Sequence, residues 1–194
     1  MAAAQVLVVE DEQIVARAIQ AELRSMGYRV PALASSGEEA LRQVEETHPD
    51  IVLMDIVLKG QMDGIEAAQQ VRQRFDVPVV YLTAYGDDDI LERAQRSAAF
   101  GYLLKPYDER ELHTTISTAL YKHRLERHIR EVNQWLGTVL RGIDEAVLAT
   151  DGRQYVRFLN PIAEVLTGWS QESAAGEHIQ GGQLLRQDQG IALR

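Results

Sequence analysis

The run Ile51-Val-Leu-Met54 is apolar without a break and ends on Asp55, where a loop containing Gly60 and Gly64 begins. A continuous apolar run of this length reads as a short strand buried on both faces, as in a parallel sheet covered by helices. Such a strand delivers a carboxylate to the edge of the sheet. In open α/β sheets, sites form in the crevice outside the carboxyl ends of the strands. Asp55 is therefore a candidate for chemistry as well as an ordinary turn former.

The flanking sequence repeats the pattern. Residues 5–9 form an apolar, β-branched run that ends in Glu10-Asp11-Glu12, and Ile14, Val15, Ala18, Ile19, Leu23 and Met26 follow at helical spacing up to Gly27. Residues 28–34 read as a second strand, made irregular by Pro31. Ser36 and Glu39 are spaced as a capping box for a helix buried through Ala40, Leu41 and Val44. After Asp63-Gly64, Ile65, Ala68 and Val71 define a third helix, and residues 79–82 a fourth strand running into Thr83. Residues 87–99 read as a helix with a mostly alanine face, and residues 101–104 as a fifth strand ending on Lys105-Pro106. Five strands alternating with helices predict a doubly wound, five-stranded parallel sheet of flavodoxin-like order 2-1-3-4-5. In that order Glu10, Asp11, Asp55, Thr83 and Lys105 all open on one edge.

Clustered carboxylates repel one another unless a counter-charge is present, and an all-oxygen cluster suits a hard divalent ion such as Mg²⁺. With the ion bound, Asp55 is placed to attack a phosphoryl group, while Lys105 neutralises charge on its equatorial oxygens and the Thr83 hydroxyl hydrogen-bonds one of them. The charge distribution agrees. Through Tyr121 the chain carries 20 acidic and 11 basic residues, and beyond it nine of each. The acidic excess argues against a nucleic-acid surface on this part, since phosphate contact needs clustered Lys and Arg. Cysteine is absent, which excludes thiolate metal sites. The first residues lack a basic leader and no apolar run reaches the length of a membrane span, so a cytoplasmic protein is expected, with no membrane contact.

The motifs Val8-Val9-Glu10-Asp11-Glu12, Leu53-Met54-Asp55-Ile56, Met62-Asp63-Gly64, Leu82-Thr83-Ala84 and Leu103-Leu104-Lys105-Pro106 resemble, in kind and order, the receiver domain of two-component response regulators of the chemotaxis type. The resemblance covers residues 5–121, within a receiver domain read as residues 1–121. It implies that Asp55 is the phosphoacceptor and that Glu10, Asp11, Asp55 and the Val57 carbonyl hold Mg²⁺. It further implies that Thr83 is the switch hydroxyl, that Tyr102 rotates with it, that Lys105 pairs with the phosphate, and that Pro106 is cis. The partner it implies is a sensor histidine kinase or phosphotransfer protein; the chain itself is then no kinase, although it catalyses its own phosphorylation and dephosphorylation. One departure stands out: Leu58-Lys59-Gly60-Gln61 replaces the usual Met-Pro loop, and Asp55 to Gly64 is one residue longer. Haloacid-dehalogenase phosphatases also use an aspartate nucleophile but need a second acid two residues on, where this chain has Val57.

Asp108 is placed to cap a helix that packs through Leu112, Ile116 and Leu120 and then continues. Leu125, Ile129, Val132, Leu136, Val139 and Ile143 follow at alternating spacings of four and three, the seam of a dimeric coiled coil. Residues 122–143 are therefore expected to be a dimerising linker, with Lys122, Arg124, Arg127 and Arg130 as its solvated face. Residues 144–194 resemble the start of a PAS sensor domain, through Ala146-Val, Thr150-Asp-Gly152, Phe158, Asn160-Pro161, Ala163-Glu164 and Leu166-Thr-Gly-Trp169. The match predicts an incomplete α+β piece of two strands and a short helix, with residues 176–194 adding no strand. His178 reads as a surface histidine rather than a haem ligand. Rival readings are a dimeric scaffold that is not phosphorylated, and the front of a hybrid sensor kinase. His113, His123 and His128 lack the acidic and proline neighbours of a kinase phosphorylation helix.

Overall fold

The structure, a computed structural model, describes residues 3–84 and 99–179; the helix expected over residues 87–99 falls outside them save for its last residue. It divides into two compact units, Met1–Arg127 and His128–Arg194.

In the first unit β1 (Val6–Val9), β2 (Leu33–Ala34), β3 (Ile51–Asp55), β4 (Val79–Ala84) and β5 (Gly101–Lys105) form one parallel sheet in the order β2-β1-β3-β4-β5. The predicted topology is thus the observed one. Alternation along each strand sends side chains to opposite faces. Leu7, Val9, Val52, Met54 and Tyr81 face a layer made by α2 (Gly37–Thr47) and α3 (Gly64–Phe75). Val6, Val8, Ile51, Leu53, Val80 and Leu82 face α1 (Gln13–Ser25) and the first turns of α4 (Glu109–Arg141). Fully burying each such side chain contributes about 1.5–3 kcal/mol, so the sheet needs water on neither side.

The ends of the helices follow local chemistry. Asp63 caps α3 by accepting from Ile65 N and Glu66 N, and Asp108 caps α4 while Glu111 accepts back from the Asp108 N–H. Ser36 accepts from Glu39 N as expected, but the Glu39 carboxylate reaches Ser35 N, one residue beyond a closed box. Two expectations need correction. The second strand shrinks to Leu33–Ala34 plus a lone bridge from Gln5 to Arg29, because Pro31 has no N–H to give a ladder. On α1 the buried stripe is Ala16, Ile19 and Leu23, while Ala18 is exposed and Ile14 is 86% exposed. At 100° per residue, Ile14 lies well off the line through Ile19 and Leu23. Two of the three histidines weighed as phosphorylation sites pack within this unit: His113 hydrogen-bonds the Tyr28 hydroxyl at 3.0 Å, and His123 meets the Phe100 ring edge-on.

Helix α4 runs without a break into the predicted linker as far as Arg141, so that Ile143, the last of the six seam positions, lies beyond its end, and Leu125, Ile129, Val132, Leu136 and Val139 are all exposed along it. In the second unit β6 (Leu148–Thr150) and β7 (Val156–Leu159) pair antiparallel, and α5 (Pro161–Thr167) and α6 (Gln171–Ala174) pack through Ala163 and Ala174 on Val156 and Leu159. The turn is fixed by Asp151, which accepts from Arg153 N and Tyr155 N and pairs with Arg157. Asn160 is fully buried. Its Oδ1 accepts from Ala163 N and Val147 N, and its Nδ2 donates to the carbonyls of Leu140, Ile143 and Glu145. The sequence reading missed the short α6 and the segment after it. Residues 176–179 run along the outer edge of β7, with Val156 N bonded to Glu177 O, Gly176 N to Val156 O, and Tyr155 bridged to His178.

Candidate active site at the carboxyl edge of the sheet

Four of the five strands, all but β2, place one site residue each. Glu10 follows β1 directly and is only 3% exposed; Asp55 closes β3; Thr83, buried, lies one residue beyond Leu82, the register partner of Asp55; Lys105 closes β5 opposite Ala84. The Lys105 Nζ stands 2.6 Å from Glu10 Oε2 and 2.6 Å from Asp55 Oδ2, so one ammonium ties together the ends of β1, β3 and β5. The other Asp55 oxygen accepts from Val57 N at 3.0 Å. Asp11 stands apart from this trio, and its Oδ2 pairs with Lys59 Nζ at 2.8 Å. Asp11 does not cap α1: the N-cap is Glu12, whose side chain makes no capping bond and whose N–H is bonded to Glu10 Oε1 at 3.4 Å. Tyr102 lies opposite Tyr81, ring centroids 5.9 Å apart, and alternation puts Thr83 on the same face as Tyr81. The Lys105-Pro106 peptide is cis, as expected.

Burial raises the Glu10 carboxyl above its usual range, with Asp55 adding repulsion and Lys105 opposing both. Burial by itself would depress Lys105, but its hydrogen bonds to Asp55 and Glu10 win and hold the ammonium above its ordinary value. It therefore stays charged at neutral pH. The hydrogen bond to Asp11 likewise raises Lys59. Nearby, burial pushes the Tyr107 phenol up to about 12, and Glu22 adds to the shift.

Glu10, Asp11, Asp55 and the Val57 carbonyl make an acidic, all-oxygen donor set, which fits Mg²⁺ in kind. Among the described residues, however, no three acidic or histidine side chains are gathered as a metal cage. The three carboxylates are held by Lys105 and Lys59 instead. The role of Lys59 was not legible in the sequence, although a lone cation in a loop among excess acid was its signal. The close approach of Gly64 to the Asp55 backbone was also missed: a Cβ there would stand 1.9 Å from the Asp55 carbonyl oxygen.

The unit is a doubly wound α/β fold with a carboxylate on its middle strand and a lysine bridging the strand ends, at the sheet edge where ligands bind in this fold class. The chain belongs to the response regulator receiver domain family, whose model matches residues 6–117. That family is the receiver domain of two-component response regulators, and the match takes in more than half of this chain. The chain is 35% identical to the regulatory protein AtoC of Escherichia coli over 135 residues, covering 69% of this chain and 29% of that protein. It is 33% identical to the transcriptional regulatory protein PdtaR of Mycobacterium tuberculosis over 138 residues, covering 69% and 67%. Among solved structures, the signal receiver domain of a modulated diguanylate cyclase from Desulfovibrio desulfuricans G20 is 38% identical, with TM-score 0.61 over 64% of this chain and 98% of that one. The N-terminal domain of a response regulator/sensory box/GGDEF three-domain protein from Carboxydothermus hydrogenoformans is 35% identical, with TM-score 0.59 over 64% and 99%.

Proposed function

We propose that Asp55 accepts a phosphoryl group from the phosphohistidine of a sensor histidine kinase or phosphotransfer protein in the cytoplasm. What carries the reading is the state of the Asp55 carboxylate. It is 13% exposed at a strand end, with one oxygen on the Lys105 ammonium and the other on the Val57 N–H, so it is both reachable and aimed. As an Asp55 oxygen bonds to phosphorus, the phosphorus–nitrogen bond of the donor breaks and its electron pair returns to the imidazole. Lys105 meets the negative charge of the phosphoryl oxygens, and Thr83, with Tyr102 beside its face of the sheet, is the hydroxyl that responds to the new group. Glu10, Asp11, Asp55 and the Val57 carbonyl would hold Mg²⁺, which when bound supplies further positive charge at those oxygens. Exposed Ile14 and Val57 flank this edge and offer a donor protein apolar contact.

A small-molecule phosphodonor with Mg²⁺ is expected to add one phosphoryl group, located on Asp55 by mass spectrometry. Asp55→Asn should add none, because an amide is a poor nucleophile. Equal labelling of that variant sinks the assignment.

The linker supports a second element of the proposal, a parallel homodimer that relays the phosphorylation state toward a PAS module. Five exposed apolar residues at seam spacing would remain in water on a lone helix. The PAS assignment of residues 144–194 is supported by the hairpin, the Asp151 turn and the buried Asn160. The domain reading is accordingly residues 1–121, 122–143 and 144–194. Analytical ultracentrifugation should find a dimer for the whole chain and a monomer for a version ending at Tyr121. A whole-chain monomer, or equal dimers in both, overturns the linker's role.

A further inference from the structure

Lys59 comes four residues after Asp55, its side chain is 80% exposed, and its Nζ is bonded to Asp11. Gly60 follows at φ +140°, a backbone conformation that residues with a side chain rarely adopt, so the loop turns sharply just after the lysine. Asp11 does not cap the helix that follows, whose N-cap position is Glu12. The two lysines at this edge are therefore held very differently. Lys105 is 26% exposed and bonded to two carboxylates, whereas Lys59 makes one bond from a solvated stem and can swing away at little cost.

We propose that Lys59 is a tethered counter-cation which occupies Asp11 in the metal-free protein and must be displaced by the incoming divalent ion, so that Lys59 sets the Mg²⁺ affinity of the site. The inference rests on the reading that Glu10, Asp11 and Asp55 hold that ion. It follows from charge. An ammonium on Asp11 takes up a donor oxygen the ion needs, and it repels a doubly charged ion as it approaches. Its removal leaves the other two carboxylates and Lys105 in place. The lysine thus spares the protein the repulsion of a bare acidic edge when Mg²⁺ is scarce, and it raises the concentration at which the ion loads.

The test is calorimetric titration of Mg²⁺ into the full chain at fixed ionic strength, with no phosphodonor present. Lys59→Met keeps the apolar stem and removes the charge, and it should tighten Mg²⁺ by about three- to tenfold, the scale for withdrawing one partly screened charge from beside a divalent ion. Lys59→Arg keeps the charge and should stay within about twofold of the parent. Unchanged or weaker binding by Lys59→Met, with a parent that binds, overturns the inference and leaves the metal reading standing. If the parent and both variants fail to bind Mg²⁺, the metal reading and the inference fall together. A parent that binds undetectably beside a Lys59→Met chain that binds measurably supports the proposal.

Discussion

Replacing Gly64 with alanine is expected to destabilise the first unit by about 3 kcal/mol or more and to slow phosphoryl acceptance with it. The added Cβ would stand 1.9 Å from the Asp55 carbonyl oxygen and 2.9 Å from both the Asp55 carbonyl carbon and Ile56 Cα. These are backbone atoms, which cannot rotate away as a side-chain tip can. Either the end of β3 or the start of α3 must move, and the Gly64 N–H to Ile56 carbonyl bond of 3.0 Å stretches as it does. Helix propensity pulls the opposite way by about 1 kcal/mol, so the direction of the measured change shows which effect dominates. Gly27→Ala is the control: its φ of +86° is costly for alanine, but nothing lies within 4 Å of the new carbon, and a loss of about 1 kcal/mol is expected. Hydrogen exchange of β1 amides in a urea series measures both. Protection in Gly64→Ala within about 1 kcal/mol of the parent would mean that the two elements yield easily.

Asn160→Leu should remove about 3 kcal/mol from the second unit. The substitution deletes the cap of α5, worth about 0.5–2 kcal/mol, and strips the Val147 N–H of its partner, at a further cost of about 1–3 kcal/mol. It also frees the carbonyls of Leu140, Ile143 and Glu145, which the amide now gathers from the end of α4 and the stretch after it. Asn160→Ser keeps a capping oxygen and should recover about 1 kcal/mol. Both tryptophans, Trp135 and Trp169, lie in the second unit, so fluorescence reads its unfolding while β1 exchange reads the first. A fluorescence midpoint for Asn160→Leu equal to the parent's would show that water satisfies those groups instead.

The sheet was readable because its core strands are short apolar runs, and because four of them run into a polar or charged residue at the carboxyl edge. Asp55 and Lys105 could be matched across 50 positions on that basis alone, and the Asp108 cap and the unbroken linker helix followed from local spacing. What stayed hidden depends on contacts that local pattern does not carry. Ile14 and Ala18 make a second short apolar line on the same helix, and which line is buried is settled only by the face the sheet covers. Residues 176–179 join β7 through main-chain bonds, so their Gly- and His-containing sequence gives no strand signal. Lys59 was visible as an oddity of the loop, but its partner lies 48 positions away and is brought near by β1 and β3 lying side by side.

The shortness of β2 has a consequence for the protein in a crowded solution. A sheet grows from its rim, where unpaired N–H and C=O groups invite a strand from a neighbour and start aggregation. Here the rim on the β2 side offers two ladder residues, Leu33 and Ala34, preceded by a proline that lacks the needed N–H. A neighbouring chain finds too little there to register against, so accretion from that side is closed off by the sequence of the strand itself.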